Sequence, residues 1–480
     1  MIIQLILAIS LVLGYGGLFL YRLFLHPLRS FPGPVTHRIS RLPRILHTIR
    51  GDLAFHVADL HARYGSVVRL SPNELAFCEP RAWKDIYGHQ DRVKPASFYH
   101  AFPDTPTTLI NAKREEHAAL RRCLGVGFSD RNMRAQEPII GSYVDLLVRR
   151  LGENASKGPL NMREWLNWAT FDIIGDLGFG SSFGCLEGSS YNPWVALIAQ
   201  MTMLNTFIIE AAMLGFRPVI QWILRSGFHK KRDEHRLLVK NKFLQRMELT
   251  VERADLIEGL LKKKEELNLS VDQLMNNASN LIIAGSETTA TLLCGTTFLL
   301  ATNPDALSKV TSEVRSTFKN DSDITLSSVA NLPYMLACLN EALRRYPPVP
   351  NGLPRISPGT EIGGHFVPKD TIVAVWQWAI NHSPDFWTDP FGYYPERFMK
   401  DPRFAGDKLE AMQAFSVGPR NCIGINLAYA EMRLILAKIL FNFDIQIADS
   451  SRDWIKQQRV YTIWEKPALY MKLQLLRPSS

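Results

Sequence analysis

A predominantly helical protein with one membrane-spanning helix at its N-terminus is what the sequence predicts, on three observations. From Met1 through Tyr21 there is no charged residue, and a span of that length crosses the hydrocarbon core as a helix. From Ser270 to about Thr302 runs a long helical pattern, opened by a capping box of Ser270 with Gln273 and stopped by Asn303-Pro304. A third helix is marked by Ile425, Leu427, Ala428, Ala430, Leu434, Ile435 and Ile439 at helical spacing. The 480 residues, 46% hydrophobic and 21% charged, carry no internal repeat or low-complexity tract, and their length suits two or three average domains or equally one large fold around a buried cofactor.

After the apolar span come Arg22, Arg29, Arg38, Arg41, Arg44 and Arg50, with no acidic residue before Asp52. By the positive-inside tendency the body stays in the cytosol. A cleaved signal would want a basic residue before the apolar run and a small-residue site after it, and neither is evident. The expected organisation is a signal anchor at 1–21, a basic linker at 22–40 stiffened by Pro27, Pro32 and Pro34, and a body at 41–480. Six cysteines with no close pair suggest a reducing compartment, without a zinc knuckle or a dense disulfide framework. The net charge of +9 is scattered along the chain, which argues against nucleic acid as a partner.

The most specific stretch is Phe415-Ser416-Val417-Gly418-Pro419-Arg420-Asn421-Cys422-Ile423-Gly424. Gly418 and Gly424 permit a tight loop whose backbone lies almost against a flat ring. Cys422 stands at the start of a helix, where free amides and the dipole favour an ionised sulfur and hence a metal ligand. Arg420 is placed to pair with an anionic carboxylate of the cofactor, and Phe415 shields the sulfur. The run resembles the cysteine-ligand signature of the cytochrome P-450 superfamily, the haem-thiolate monooxygenases, at every fixed position of F-x-x-G-x-R-x-C-x-G.

Three further constellations support that resemblance. Ala284-Gly285-Ser286-Glu287-Thr288-Thr289, at the centre of the long helical pattern, is poor helix chemistry. Glycine and successive hydroxyls are expected to open the hydrogen-bond ladder there, leaving a groove for dioxygen and a water. It resembles the family's distal helix, with Ala284 and Gly285 against the cofactor and Glu287 and Thr288 at the acid–alcohol positions that deliver protons. Glu341 and Arg344 share one helical face. Pro395-Glu396-Arg397-Phe398 resembles the family's second arginine motif, with Tyr393 where phenylalanine is usual, so Glu341 is expected to bridge Arg344 and Arg397 in a structural triad. His117 and Arg121, one turn apart, resemble the family's haem-propionate holders, with Arg355 as another. The glycine-rich run from Gly175 to Gly184 lacks G-x-G-x-x-G spacing and reads as a helix end.

The resemblance implies a mostly α fold with a smaller β region, in which haem b lies between the helix bearing Glu287-Thr288 and the loop of Cys422. The catalytic domain would span 41–480. Residues 96–99, 114–117 and 461–467 make it most similar to fungal microsomal enzymes of secondary metabolism, of the isotrichodermin hydroxylase and benzoate hydroxylase types. Such a protein inserts one oxygen atom from dioxygen into a lipophilic small molecule, with electrons from NADPH through a membrane-bound reductase. It is single-pass in the endoplasmic reticulum membrane. A haem-thiolate isomerase or dehydratase, or a non-catalytic haem protein, would use the same cysteine. The expected pocket walls are 98–110, 201–216, 277–284 and 349–353, mainly apolar, and the basic surface near Arg121, Arg122 and Arg420 is expected to meet the reductase.

Overall fold

Helices dominate the computed structural model, which describes residues 1–88, 96–99, 106–190, 193–225, 230–249 and 253–476, and small sheets flank them. The helices that place the site are α1 (Ile2–Leu20), α2 (Leu42–Arg50), α3 (Arg114–Gly125), α4 (Met162–Phe179), α5 (Pro193–Met213), α6 (Arg217–Arg225), α7 (Val271–Thr302), α8 (Pro333–Arg345) and α9 (Ile425–Asn442). The strands that matter are β1 (Val67–Ser71), β2 (Glu74–Phe77), β3 (Leu160–Asn161), β4 (Arg355–Ile356), β5 (Ile372–Val375), β6 (Phe443–Ile447) and β7 (Tyr470–Leu475). One sheet runs β1-β2-β5-β4, with β2 parallel to β5 and the other pairs antiparallel; a second runs β3-β7-β6. The first sheet delivers Arg355 on β4 and leads from β5 directly into Gln377.

Helix α7 starts where the sequence places it. Ser270 Oγ accepts from Gln273 N at 3.2 Å, and Gln273 Oε1 accepts from Ser270 N at 2.9 Å. It packs along α4 and also touches α8 and α9, in the larger of the apolar cores. Two glycines permit the close approach of α4. A Cβ on Gly285 would lie 2.7 Å from Ile174 Cδ1, and one on Gly178 would lie 2.9 Å from Ile282 Cδ1. The local opening expected at 284–289 is absent, for α7 is continuous. Its hydroxyls fold back on it, Ser286 to the Ile282 carbonyl at 2.6 Å and Thr288 to the Ala284 carbonyl at 2.5 Å. Such a bond joins a carbonyl of an intact turn and need not displace the ladder. The Gly175–Gly184 run does end a helix, with Gly180 as a left-handed cap at φ 76.

At the N-terminus, α1 carries no charged residue and continues through Leu25 in a wider helical turn. Its 19 residues extend roughly 28 Å at about 1.5 Å each. The side chains at 7, 8, 11 and 12 lie outside the described ones, and among the described residues no helix is long and apolar enough to cross a membrane. The segment after α1 is docked on the body. Fully buried Arg69 donates to the Pro72 carbonyl at 2.8 and 3.1 Å and to the Arg22 carbonyl at 2.9 Å. Leu28 and Phe31 enter the second apolar core, under the first sheet.

Candidate active site

The segment leading to Cys422 is braced by a buried charge network. Arg344 on α8 donates to Glu341 through Nε at 2.9 Å and Nη2 at 2.7 Å, and Arg397 Nε reaches Glu341 Oε1 at 3.2 Å, with all three side chains at 0% exposure. Arg344 also donates to the carbonyls of Asn381, Pro390 and Gly392 at 2.8–2.9 Å. Arg397 pairs with Asp407 and donates to the Asp389 carbonyl at 2.9 Å. The expected triad is thus brought together, and Asp407 is a fourth member that the motifs do not reveal. Its function is to hold the 388–407 segment on α8.

Cys422 stands three residues before the first residue of α9, whose N-cap is Gly424. Its loop is closed by Cys422 N donating to the Phe415 carbonyl at 2.9 Å and Asn421 N to the Gly418 carbonyl at 3.0 Å. Arg121 from α3 grips the loop, donating to the Asn421 carbonyl at 2.7 Å and to its side-chain oxygen at 2.6 Å. Gly418 has φ +78, and a Cβ there would fall 1.9 Å from the Tyr87 carbonyl oxygen. The clearance expected to face a flat ring is therefore used by the backbone at Tyr87. Gly424 is less constrained, its nearest contact being 3.5 Å from Phe128. Burial pushes the Cys422 thiol up, against the lowering effects of the Gly424 amide and Arg121. The helix start does not ionise the sulfur unaided, and a coordinated metal would.

The sulfur opens into a cavity of about 440 Å³ between α7 and this loop. Ala284, Gly285 and Thr288 line one side of it, Phe415 and Gly424 the other, and His117, Arg121, Arg355 and Arg420 contribute basic groups. Arg355 donates to the Tyr99 hydroxyl at 2.8 Å and the Pro354 carbonyl at 3.0 Å; Arg420 donates to the Ala112 carbonyl at 3.0 Å. These residues fit haem: a thiol for the iron, apolar surfaces for the ring and guanidinium groups for its carboxylates. Tyr99 lines the same cavity and was not expected as a cofactor contact. Arg121 and Arg420 face inward with partners, so the expected basic outer surface reduces there to Arg122, with Lys113 and Arg114 exposed at the start of α3.

The expected acid–alcohol pair is divided. Thr288 lines the cavity, whereas Glu287 does not. Glu287 Oε2 is held by the buried Lys466 ammonium at 2.8 Å, and the same ammonium donates to Thr291 Oγ1 at 2.7 Å. The carboxyl that does line the cavity is Glu431 on α9, 2% exposed and with Oε1 lacking a hydrogen-bond partner. A carboxylate at the spacing of Leu427, Ala428 and Met432 was the available signal for it. Burial pushes Glu431 up to about 8, against a hydrogen bond with Thr289. An unfolded chain releases this proton near the usual 4.5. The native state therefore binds more protons between those values, and stability falls as pH rises through that window. Glu431→Gln should flatten the urea midpoint between pH 6 and 8, where wild type declines by a share of a total on the order of 5 kcal/mol. Equal declines in both proteins would mean that Glu431 is already ionised.

Of the expected pocket walls, the described parts of 98–110, 277–284 and 349–353 contribute lining residues; 100–105 lie outside the described residues. The 201–216 stretch of α5 and its following turn contributes none among the described residues, a correction to that expectation. The family model for cytochrome P450 matches residues 33–472. Cytochrome P450 monooxygenase tpeC of Talaromyces stipitatus is 48% identical over 99% of this chain and 95% of its own length. Averantin hydroxylase of Dothistroma septosporum is 44% identical over 97% and 91%. Trichothecene C-15 hydroxylase of Fusarium sporotrichioides is 41% identical over 94% of each.

Proposed function

This chain belongs to the cytochrome P450 family and is a monooxygenase of the hydroxylating kind, and from that premise we propose that its substrate is a medium-sized lipophilic terpenoid, polyketide or alkaloid. The observation that carries the reading is the mainly apolar cavity into which Cys422 and Thr288 both open. Cys422 would hold the iron of haem through its thiolate, and the bound group would supply reductive activation of dioxygen. The chain's own residues position and protonate. Arg355, with Tyr99 against it, and Arg420 would hold the haem carboxylates with His117 lining the same cavity, and Arg121 keeps the cysteine loop in place. Thr288 Oγ lines the cavity with its proton given to the Ala284 carbonyl, so it passes a proton only by releasing that bond, and Glu287 behind it is a reserve that must leave Lys466 to take part. Thr288→Ala is expected to keep the haem spectrum and to raise hydrogen peroxide release several-fold relative to product; coupling equal to wild type would remove Thr288 from proton delivery.

Electrons would come from a membrane-bound NADPH reductase, with exposed Lys113, Arg114 and Arg122 as cations suited to an acidic partner. We further propose a single-pass anchor at 1–21, a linker at 22–40 and a cytosolic catalytic domain at 41–480, on the endoplasmic reticulum membrane. The uncharged α1 supports this, and so do two exposed apolar patches. Leu42, Leu46 and Ile49 form a stripe along α2, while Phe216, Val219 and Trp222 project at α6, Trp222 being 71% exposed.

A further inference from the structure

Apolar groups make up most of the cavity's surface, and several of its polar side chains are engaged. Asn277 accepts from Leu109 N at 2.8 Å and donates to the Gln273 carbonyl at 2.8 Å, and Arg355 is held by Tyr99 and Pro354. Two amides are different. Gln377 is 4% exposed and its Nε2 has no hydrogen-bond partner; the Oδ1 of Asn351 is likewise enclosed and without one. Both residues line the cavity.

They stand on one wall, because the segments that carry them are joined. Trp378 N donates to the Pro350 carbonyl at 2.9 Å. Gly352 sits so close to the end of β5 that a Cβ would lie 2.7 Å from Ala374 Cβ and 2.8 Å from the Val375 carbonyl oxygen. The nearest lining residues of the same two segments are the apolar Val349, Leu353 and Val375, with Arg355 beyond Leu353. A buried amide group left unpaired costs about 1–3 kcal/mol, so two of them on one apolar wall point to a ligand that completes them.

We propose that Gln377 and Asn351 form a donor–acceptor pair that orients the substrate by a hydroxyl group it already carries. The hydroxyl oxygen accepts from Gln377 Nε2, and its proton is donated to Asn351 Oδ1. Each amide presents both a donor and an acceptor, so the pair suits the same group with both amides turned over. A bare hydrocarbon would leave both unpaired. A carboxylate accepts from both amides once Asn351 is turned to present Nδ2, so the haem carboxylates near Arg355 are the rival partner, and haem retention in the variants separates the two. The proposal rests on the monooxygenase reading and narrows it: the substrate is a lipophilic alcohol or phenol, so an earlier oxygenation or hydrolysis must have supplied its hydroxyl.

The test uses the haem-loaded full chain and a probe whose imidazole nitrogen binds at the iron, namely phenylimidazole and its ortho-, meta- and para-hydroxylated forms, followed by the Soret shift. At least one hydroxylated form should bind about tenfold more tightly than the parent, the worth of one buried neutral hydrogen bond. Asn351→Leu and the near-isosteric Gln377→Met should each erase that margin, while leaving the parent's affinity and the carbon monoxide band of the reduced protein unchanged. The proposal is overturned if no hydroxylated form gains, or if the margin survives in both variants. Loss of haem in both variants would overturn it too, by assigning the amides to the cofactor. A wild type without a red-shifted carbon monoxide band would instead sink the monooxygenase reading, which separates the two failures.

Discussion

Glu341→Leu is expected to abolish recovery of folded, haem-loaded protein. The carboxylate is the shared partner of Arg344 and Arg397, and none of the three has any exposure to water. Removing it strands two guanidinium groups that cannot be resolvated without opening the contact between α8 and the 388–407 segment. Breaking a buried ion pair costs about 3–5 kcal/mol per uncompensated charge, against a total stability of about 5–15 kcal/mol. The remaining carbonyl partners of Arg344, at Asn381, Pro390 and Gly392, and the Asp407 partner of Arg397 soften the loss without restoring neutrality. A matched control is Lys309→Ala. It breaks the pair of Lys309 with Glu396, in which the lysine is 56% exposed, and should move the midpoint by about 1 kcal/mol or less. Soluble yield, haem content and urea midpoint of the two variants check the contrast. Normal yield and midpoint for Glu341→Leu would show that the triad is ornamental to folding.

The same network shows what a sequence can reveal. Glu341 and Arg344 are local, three residues apart on one face, and Arg397 is legible because Pro395 and Phe398 beside it form a recognisable motif. Asp407 has no local signature and is fixed only by tertiary packing. Lys466 is a similar case, since its partner Glu287 lies 179 residues earlier. The capping box at Ser270 was legible because both of its bonds lie within four residues. The division of Glu287 from Thr288 was hidden by their adjacency. Successive residues point about 100° apart around a helix, so Thr288 can face the cavity while Glu287 turns toward Lys466. Gly418 was legible as a necessary glycine but not for its reason, because the carbonyl it clears belongs to Tyr87, far away in the chain. The missed amide of Gln377 follows a strand and carries no periodic signal at all.

Cys422→Ser should remove the thiolate-type carbon monoxide band and turnover while leaving the fold intact. The two side chains differ by one atom, and the loop does not depend on that atom. It is closed by the backbone bond from residue 422 to the Phe415 carbonyl and by the hold of Arg121 on Asn421, both of which serine retains. The side chain faces the cavity, so no packed core is disturbed. What changes is the ligand, since a hydroxyl is harder and far less acidic than a thiol and does not offer the electron density that favours O–O cleavage. Haem content separates the two contributions of the site. If the apolar walls and the guanidinium groups of Arg355 and Arg420 carry most of the binding, the variant retains haem with an altered spectrum; if the sulfur carries it, the variant folds without haem. Circular dichroism reports the fold in either case. An unchanged carbon monoxide band in folded Cys422→Ser would mean that another group binds the iron, and no second cysteine lines the cavity to take that place among the described residues.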